Sequence, residues 1–288
     1  RATLDLAGEI ERRGYAGIYC ASFGDAMGLC EALALVTQRI PFGTSIVNLY
    51  TRHAGDYASS AAMIHELSGG RFTLGIGVSH HWVIEGQLGL PYERPAHEMR
   101  NYLEVLNAAL RGPGAVDVEN DGYRVHSPID VTDVPTPVLL AALAPVMLRV
   151  AGEQASGTIL WMADERAIAE HVVPRIAKAA SAAGRPAPRI VAGVPIALCP
   201  KDEVDAARSW ANQVLGHAEY SPNYQRLLER GDASDVGDIL AAGDESAIVG
   251  RLREFRDAGA TDLAVRVLPL GRDRAARIES RRRTEAFL

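Results

Sequence analysis

Three hydrogen-bonding side chains, Ser79, His80 and His81, follow one another shortly after an apolar segment at residues 72–77. The imidazole of a histidine can give or take a proton near neutral pH, so His80 is a candidate for general acid–base catalysis. The competing interpretation is a histidine that only hydrogen-bonds a loop carbonyl. Glu85 is the nearest carboxylate further along the same stretch, and the residues around it could shape the mouth of a substrate site.

The segment at residues 72–77 predicts a strand, because its Phe, Thr and Ile residues favour extended structure. Gly75 and Gly77 leave two positions without a Cβ near its end, where a flat or bulky group can approach the backbone. A turn at residues 68–70 (SGG) ends the helix that precedes the strand. Ligands of parallel α/β folds bind at the carboxyl ends of strands, so we expect Ser79 and His80 at a ligand site.

Several other kinds of site are excluded by their missing signatures. The sequence has no zinc-binding spacing, P-loop or nucleophile elbow, and residues 75–80 (GIGVSH) lack the third glycine of a nicotinamide fingerprint. Cys20, Cys30 and Cys199 are odd in number and lie in or beside apolar segments. They predict buried free thiols in a reducing cytoplasm.

The composition is that of an ordinary globular protein, with 48% hydrophobic residues, 23% charged residues and a net charge of −6. This mild acidity argues against nucleic acid as a partner, and the basic run at residues 281–283 predicts a solvated helix end. No apolar run is long enough to cross a bilayer. The opening residues lack the apolar region of a secretory signal, so we expect a cytoplasmic protein.

Strand and helix patterns alternate along residues 1–288, which predicts a single-domain α/β protein with a TIM (β/α)8-type barrel. The seven predicted strands lie at residues 16–20, 42–47, 72–77, 137–141, 157–160, 190–198 and 262–267. The first predicted helix, at residues 4–13, precedes them all. Residues 116–125 suggest a hairpin around Asn120-Asp121-Gly122, residues 112–114 (GPG) a helix stop, and residues 219–244 an irregular, partly helical insertion.

Three short motifs in a fixed order carry a family resemblance: residues 48–53 (NLYTRH), residues 67–71 (LSGGR) and residues 74–77 (LGIG). In this order the chain resembles the luciferase-like monooxygenase superfamily, and within it the branch that uses the deazaflavin cofactor F420. The resemblance implies a barrel that begins with a strand, so we expect the first strand to be missing from the given residues. It also implies a small-molecule substrate and a homodimer.

The resemblance implies a cofactor wall at the strand that includes Ser45 and Ile46. In that family the strand carries a bulge with a non-prolyl cis peptide bond behind the cofactor, which by position is the Ser45–Ile46 bond. Asn48 would then hydrogen-bond the pyrimidine-like edge of the cofactor.

The resemblance places further residues around the cofactor. Gly77, Val78 and Ser79 would line its ring or ribityl chain, and His80 takes a position where some relatives have a catalytic carboxylate. A strand-to-helix segment would hold the cofactor phosphate through backbone groups, and its residues are Ala141, Ala142 and Leu143.

Ser22, Phe23 and Asp25 follow the first predicted strand, where relatives place acidic and histidine residues near the deazaflavin hydroxyl. The chain has no histidine there. Asp25 could equally cap the next helix, and the sequence leaves both interpretations open.

The function we expect is hydride transfer between F420 and an unidentified organic substrate. Two alternatives stay open: an FMN-dependent monooxygenase that uses O2, and a non-catalytic flavin-binding protein of the same fold. FMN normally needs a cationic phosphate clamp, and residues 139–147 contain no Arg or Lys, which favours F420. The insertion at residues 219–244 is expected to roof the site.

Overall fold

The computed structural model of the chain describes residues 2–21, 24–111, 114–129, 135–216 and 221–288. The strands are β1 (Ile18–Ala21), β2 (Phe42–Ser45), β3 (Val47–Asn48), β4 (Phe72–Gly77), β5 (Gly114–Glu119), β6 (Arg124–Ile129), β7 (Val138–Ala141), β8 (Gly157–Trp161), β9 (Arg189–Leu198), β10 (Ala241–Gly243) and β11 (Asp262–Val267). The α-helices are α1 (Ala2–Arg12), α2 (Ala26–Val36), α3 (Ala54–Leu67), α4 (His81–Ile84), α5 (Pro95–Ala109), α6 (Pro145–Gln154), α7 (Val173–Ala182), α8 (Val204–Leu215), α9 (Pro222–Leu228), α10 (Val236–Ile239), α11 (Glu245–Asp257) and α12 (Arg274–Phe287). Short 3-10 segments at Leu49–Thr51 and Lys201–Glu203 and a π-helical turn at Ala167–Val172 join them.

The large sheet is a nearly closed parallel barrel, as the alternation of strands and helices predicted. Its strands follow one another in the order β1, β2, β4, β7, β8, β9 and β11, with β3 continuing the line of β2 beside β4. Each of the seven predicted strands corresponds to one position of this barrel. Within the described residues β1 pairs only with β2, and β11 only with β9, so the barrel is open along a seam between them.

The barrel has apolar side chains on both faces of its strands, as expected for a parallel sheet covered by helices. The outer faces pack against the helices, where Phe72, Tyr102 and Phe255 are among the largest fully buried side chains. A smaller cluster inside the barrel consists of Leu139, Ile159 and Val191, with Tyr19, Ile46 and Ala264 packed against it. These apolar side chains lie beneath the carboxyl ends of the strands.

The side chain of Arg71, which follows the turn after α3, connects several elements of the fold. Its guanidinium donates to the carbonyl oxygens of Ala34 at 3.4 Å, Thr37 at 3.0 Å and Ile40 at 2.9 Å, and its Nε to that of Ser68 at 2.7 Å. Because these carbonyls lie at the ends of α2 and α3 and before β2, one side chain ties three elements together.

The structure corrects the sequence prediction in three places. The predicted strand at residues 42–47 is divided into β2 and β3, which pair separately with β4. His81, predicted on a loop, begins the one-turn helix α4, because the N–H groups of Val83 and Ile84 both bond the His80 carbonyl oxygen at 3.0 Å. The three-residue strand β10 lies within the insertion and was not predicted, since it is too short to show a periodicity.

The remaining organisation follows the prediction. β5 and β6 form the predicted antiparallel hairpin, and the insertion is partly helical through α9 and α10. Gly112, Pro113 and residues 219–220, which belong to the predicted helix stop and to the start of the insertion, lie outside the described residues.

The three cysteines, Cys20, Cys30 and Cys199, are free and buried, as predicted. Within the described ranges, the helices are all too short or too polar to span a bilayer.

Candidate functional site

A cavity of about 2150 Å³ occupies the barrel and opens at the carboxyl ends of its strands. It continues through the interior to Arg189 and Asp262 at the opposite end. Eight of the ten predicted site residues line this cavity: Ser45, Ile46, Asn48, Val78, Ser79, His80, Ala141 and Leu143. The fold therefore brings most of the predicted site together, although their segments are far apart in the sequence. No cluster able to hold a metal ion occurs in the part of the chain that the structure describes.

Gly77 and Ala142, the other two predicted residues, lie behind the cavity surface. A Cβ on Gly77 would stand 2.9 Å from Ile46 Cδ1 and 3.0 Å from Ala141 Cβ, so these side chains cover the glycine. Ala142 is almost fully buried, and the Thr158 hydroxyl lies 3.4 Å from its carbonyl oxygen. Both residues support the wall from behind, and neither lines the cavity.

The peptide bond between Ser45 and Ile46 is cis, which confirms the expectation drawn from the resemblance. The neighbouring Thr44 hydroxyl donates to the Gly75 carbonyl oxygen at 2.7 Å and accepts from the Gly75 N–H at 2.9 Å. A Cβ on Gly75 would overlap the Thr44 carbonyl oxygen, so this approach requires glycine. The wall formed by Ser45 and Ile46 is thus held closely against β4.

The side-chain amide of Asn48 uses its oxygen in a hydrogen bond within the protein, whereas its NH2 group does not. Its Oδ1 accepts a hydrogen bond from the Tyr50 N–H at 3.0 Å, which caps the following 3-10 turn. Its carbonyl oxygen accepts from the hydroxyls of Thr51 at 2.8 Å and Tyr57 at 3.1 Å. The Asn48 NH2 has no partner among the described residues, so it can donate to an acceptor atom of a ligand.

Two residues at the ligand-binding end have left-handed backbones that are unusual outside glycine. Ser79, just after β4, has φ 57°, and Met162, just after β8, has φ 61°. A left-handed conformation costs a non-glycine residue roughly 1–2 kcal/mol, and such residues cluster at ligand sites. The Tyr92 hydroxyl donates to the Ser79 carbonyl oxygen at 3.2 Å and helps to hold this conformation.

The imidazole of His80 is oriented by aromatic neighbours. It stacks on the Trp82 ring with centroids 4.3 Å apart and planes 6° apart. The Tyr224 ring of α9 lies 5.9 Å away and is tilted by 42°. The loop after β4 and the insertion therefore meet at His80, at the mouth of the cavity.

The N-terminus of α6 provides backbone donors beside the cavity. Ala144 occupies the N-cap position without a side-chain capping bond, and Pro145 is the first helical residue. The amides of the first turn are therefore available to an anion. His171 Nε2 lies 2.7 Å from the Leu143 carbonyl oxygen, and burial lowers the pKa of His171, so a neutral imidazole donates to this loop.

Asp25 is a helix cap in this structure. Its Oδ1 accepts a hydrogen bond from the Gly28 N–H at 3.0 Å, which settles one of the two interpretations that the sequence left open. Asp25 also lines the cavity. Ser22 and Phe23 lie outside the described residues.

Trp161 and Tyr224 are aromatic residues of the cavity that were not predicted from the sequence. Trp161 ends β8, and a Cβ on Gly193 would stand 2.6 Å from its ring, so the indole occupies space that Gly193 leaves free. The Arg266 guanidinium lies over the same ring at 5.6 Å. The position of Trp161 at a strand end was the available signal. Tyr224 lies in the insertion, where no pattern marked it.

The parallel barrel, the cavity at its carboxyl ends and the cis bond in its wall agree with one protein class. The family model for luciferase-like monooxygenases matches residues 1–262. The chain therefore belongs to the luciferase-like monooxygenase family.

The relatives of this chain include a 5,10-methylenetetrahydromethanopterin reductase. The chain is 28% identical over 298 residues to the 5,10-methylenetetrahydromethanopterin reductase of Methanopyrus kandleri, which covers 88% of this chain and 84% of that protein. The structure of the coenzyme F420-dependent tetrahydromethanopterin reductase from M. kandleri superposes with a TM-score of 0.74 at 23% identity, covering 96% of this chain and 92% of that one. An F420-dependent secondary alcohol dehydrogenase in complex with an F420–acetone adduct superposes with a TM-score of 0.77 at 15% identity, covering 92% and 88%.

Proposed function

We propose that this protein is an oxidoreductase that transfers a hydride between coenzyme F420 and an organic substrate. The structures of two similar proteins carry F420 dependence in their names. The observation that carries the proposal is the N-terminus of α6, which has no side-chain cap and offers backbone amides to an anion. Residues 139–147 contain no Arg or Lys, so no cation of this segment accompanies those amides.

The charge of the phosphate distinguishes the two candidate cofactors. The phosphate of FMN is a monoester with about two negative charges at neutral pH, whereas that of F420 is a diester with one. A helix N-terminus presents only about half a positive charge. The helix N-terminus therefore suits the singly charged diester better. A monoester would need a cationic side chain besides the backbone amides.

Other residues of the cavity fit a flat deazaflavin ring. Ile46 and the cis bond before it form a wall, and the Asn48 NH2 is free to donate to a ring carbonyl. The apolar cluster of Leu139, Ile159 and Val191 lies inside the barrel and suits the apolar faces of a ring. These features support the proposal on the chain's own residues.

When bound, F420 exchanges a hydride, which is a proton with two electrons, with a carbon atom of the substrate. The chain supplies the remaining steps. Backbone amides at α6 and the Asn48 amide position the cofactor, and His80 exchanges the proton of the neighbouring substrate atom. The substrate enters through the mouth beneath α9.

The proposal is tested by titrating the purified protein with F420 and, in parallel, with FMN. We expect F420 to bind at least tenfold more tightly, a difference of about 1.4 kcal/mol. Asn48→Asp is the matched variant, because its carboxylate still accepts from the Tyr50 N–H but no longer donates to the cofactor. We expect this variant to keep its thermal stability and to lose roughly tenfold in F420 affinity.

Tighter binding of FMN, together with O2 consumption, would instead support a monooxygenase. Binding of F420 without turnover of any ketone, aldehyde or imine would support a non-catalytic binding protein. Either result contradicts the proposed function.

A further inference from the structure

The hydroxyl of Tyr224 lacks a hydrogen-bond partner among the described residues, unlike most other tyrosine hydroxyls of the cavity. Among the described residues, five tyrosines line it: Tyr15, Tyr19, Tyr57, Tyr92 and Tyr224. Tyr57 and Tyr92 donate to backbone carbonyls, and Tyr19 accepts from an arginine. Of these five, only Tyr15 and Tyr224 have no hydrogen-bond partner for their hydroxyls among the described residues. Tyr15 precedes β1 at the amino-terminal end of the barrel, so Tyr224 is the uncommitted phenol at the mouth.

Tyr224 lies next to the candidate proton-transfer group. Its ring centroid is 5.9 Å from that of His80. Burial raises the pKa of Tyr224 to about 12, so the phenol keeps its proton throughout the physiological range. A protonated phenol without a partner, in a partly apolar cavity, is a hydrogen-bond donor that needs an acceptor.

The insertion that carries Tyr224 is fixed to the barrel behind the site. The buried carboxylate of Asp164, just after β8, accepts from the N–H groups of Asp232 at 2.6 Å, Ala233 at 2.7 Å and Ala167 at 2.8 Å. Arg166 also pairs with Asp232 at 2.8 Å. These bonds hold the segment after α9 to the ligand-binding end of the barrel and so keep Tyr224 above the cavity.

We propose that Tyr224 is a substrate-binding residue whose hydroxyl donates to the carbonyl oxygen or imine nitrogen of a planar, ring-bearing substrate. The proposal rests on the proposed hydride transfer. During reduction the hydride bonds to the substrate carbon, the electron pair of the C=O or C=N bond moves to the heteroatom, and that atom takes a proton from His80. The Tyr224 hydroxyl stabilises the charge that develops on the heteroatom.

The planar ring follows from the aromatic side chains of this end of the cavity. Trp82, Trp161 and Tyr224 all line it. Flat rings pack on such side chains in stacked or edge-to-face arrangements, which adds affinity beyond area burial. A substrate with a ring beside its reducible bond would use both the aromatic surfaces and the Tyr224 hydroxyl.

The test compares 1-indanone with indane, two planar probes that differ in one carbonyl group. Their dissociation constants are measured by ligand-observed NMR on the protein with oxidised F420, which cannot reduce the ketone. Wild-type protein is expected to bind 1-indanone about tenfold more tightly than indane, the scale of one hydrogen bond. Tyr224→Phe should reduce this preference to less than twofold, whereas Tyr15→Phe, the same change at the far end of the cavity, should keep it.

F420 affinity and thermal stability are measured for each variant. Loss of the ketone preference in Tyr224→Phe, with both of these unchanged, is the supporting result. Absence of the preference in the wild type, or its retention in Tyr224→Phe, overturns the inference even when F420 binds. If F420 does not bind, the proposed function is contradicted but the inference about Tyr224 is not. The preference for the ketone can still be measured without cofactor.

Discussion

His80 is the residue on which the proposed chemistry depends most directly. Its ring stacks on Trp82 and lies near the Tyr224 ring at the mouth of the cavity. An imidazole whose plane is fixed can transfer a proton without first reorganising, which favours catalysis. A residue that only anchored the loop would have the same neighbours, and the two roles differ in what a substitution does to kcat.

Substitution of His80 by alanine separates these roles. If His80 transfers a proton, His80→Ala should lower kcat by roughly 10²–10⁴-fold, leave F420 affinity almost unchanged and remove one limb of the pH–rate profile. His81→Ala is the matched control, because His81 is its exposed neighbour and should keep most activity. Steady-state kinetics across the pH range make the measurement.

A stability loss of about 1 kcal/mol with nearly normal kcat would show that His80 only anchors the loop. Glu85, the nearest carboxylate on the same stretch, would then be the next candidate for proton transfer.

Some residues of the candidate site could be predicted from the sequence and others could not. Ser45, Ile46 and Asn48 follow one another on one segment, so the family motif located them together. Trp161 and Tyr224 were missed because their roles depend on which segments meet in space. Trp161 needs the space left by Gly193, and such complementarity has no local signal.

At the scale of elements, the turn between α3 and β4 does more than end a helix. The sequence predicted the glycine turn, but not that Arg71 would reach back to the end of α2. Its guanidinium also lies over the Phe42 ring at 5.2 Å, which adds a contact to β2. One side chain thus joins elements that are distant in sequence. One of them is β2, the strand that carries the wall of the site, so Arg71 also supports the site.

Loss of this side chain should destabilise the barrel. Arg71→Ala leaves the carbonyl oxygens of Ala34, Thr37 and Ile40 without their donor, so we expect a loss of about 3 kcal/mol in the free energy of unfolding. Arg71→Lys should recover only part of it, because a single ammonium cannot reach all of these acceptors. Urea denaturation gives both values.

Arg253→Ala on the exposed face of α11 serves as the control and should change the free energy of unfolding by less than about 0.5 kcal/mol. An Arg71→Ala protein as stable as this control would mean that water replaces the lost donors.

At the scale of the whole molecule, the barrel was predictable because each strand–helix unit has its own local pattern. The seam between β1 and β11 agrees with the expectation that the given residues hold seven barrel strands. The cavity was less predictable, since its shape depends on glycines that permit close approach between strands.

The outer surface has one feature that the barrel alone does not explain. α2 contains a single charged residue, Glu31, and exposes Leu35 by 69% and Val36 by 43%. The adjacent α3 exposes Met63 by 46% and Leu67 by 51%. Helices that are apolar on all sides are normally buried, and exposed apolar patches mark association surfaces.

We propose that α2 and α3 meet the same helices of a second copy, in the homodimer that the family resemblance implied. An aspartate in place of Leu35 would put a charge into that contact, so we expect the wild type to be a dimer and Leu35→Asp a monomer at the same micromolar concentration. Ile278→Asp is the matched control, because Ile278 is 58% exposed on α12, and it should remain a dimer. Light scattering coupled to size-exclusion chromatography gives the masses. A monomeric wild type would contradict this interface. So would a dimer that persists in Leu35→Asp, because it would have to form elsewhere and leave the apolar residues of α2 exposed in both copies.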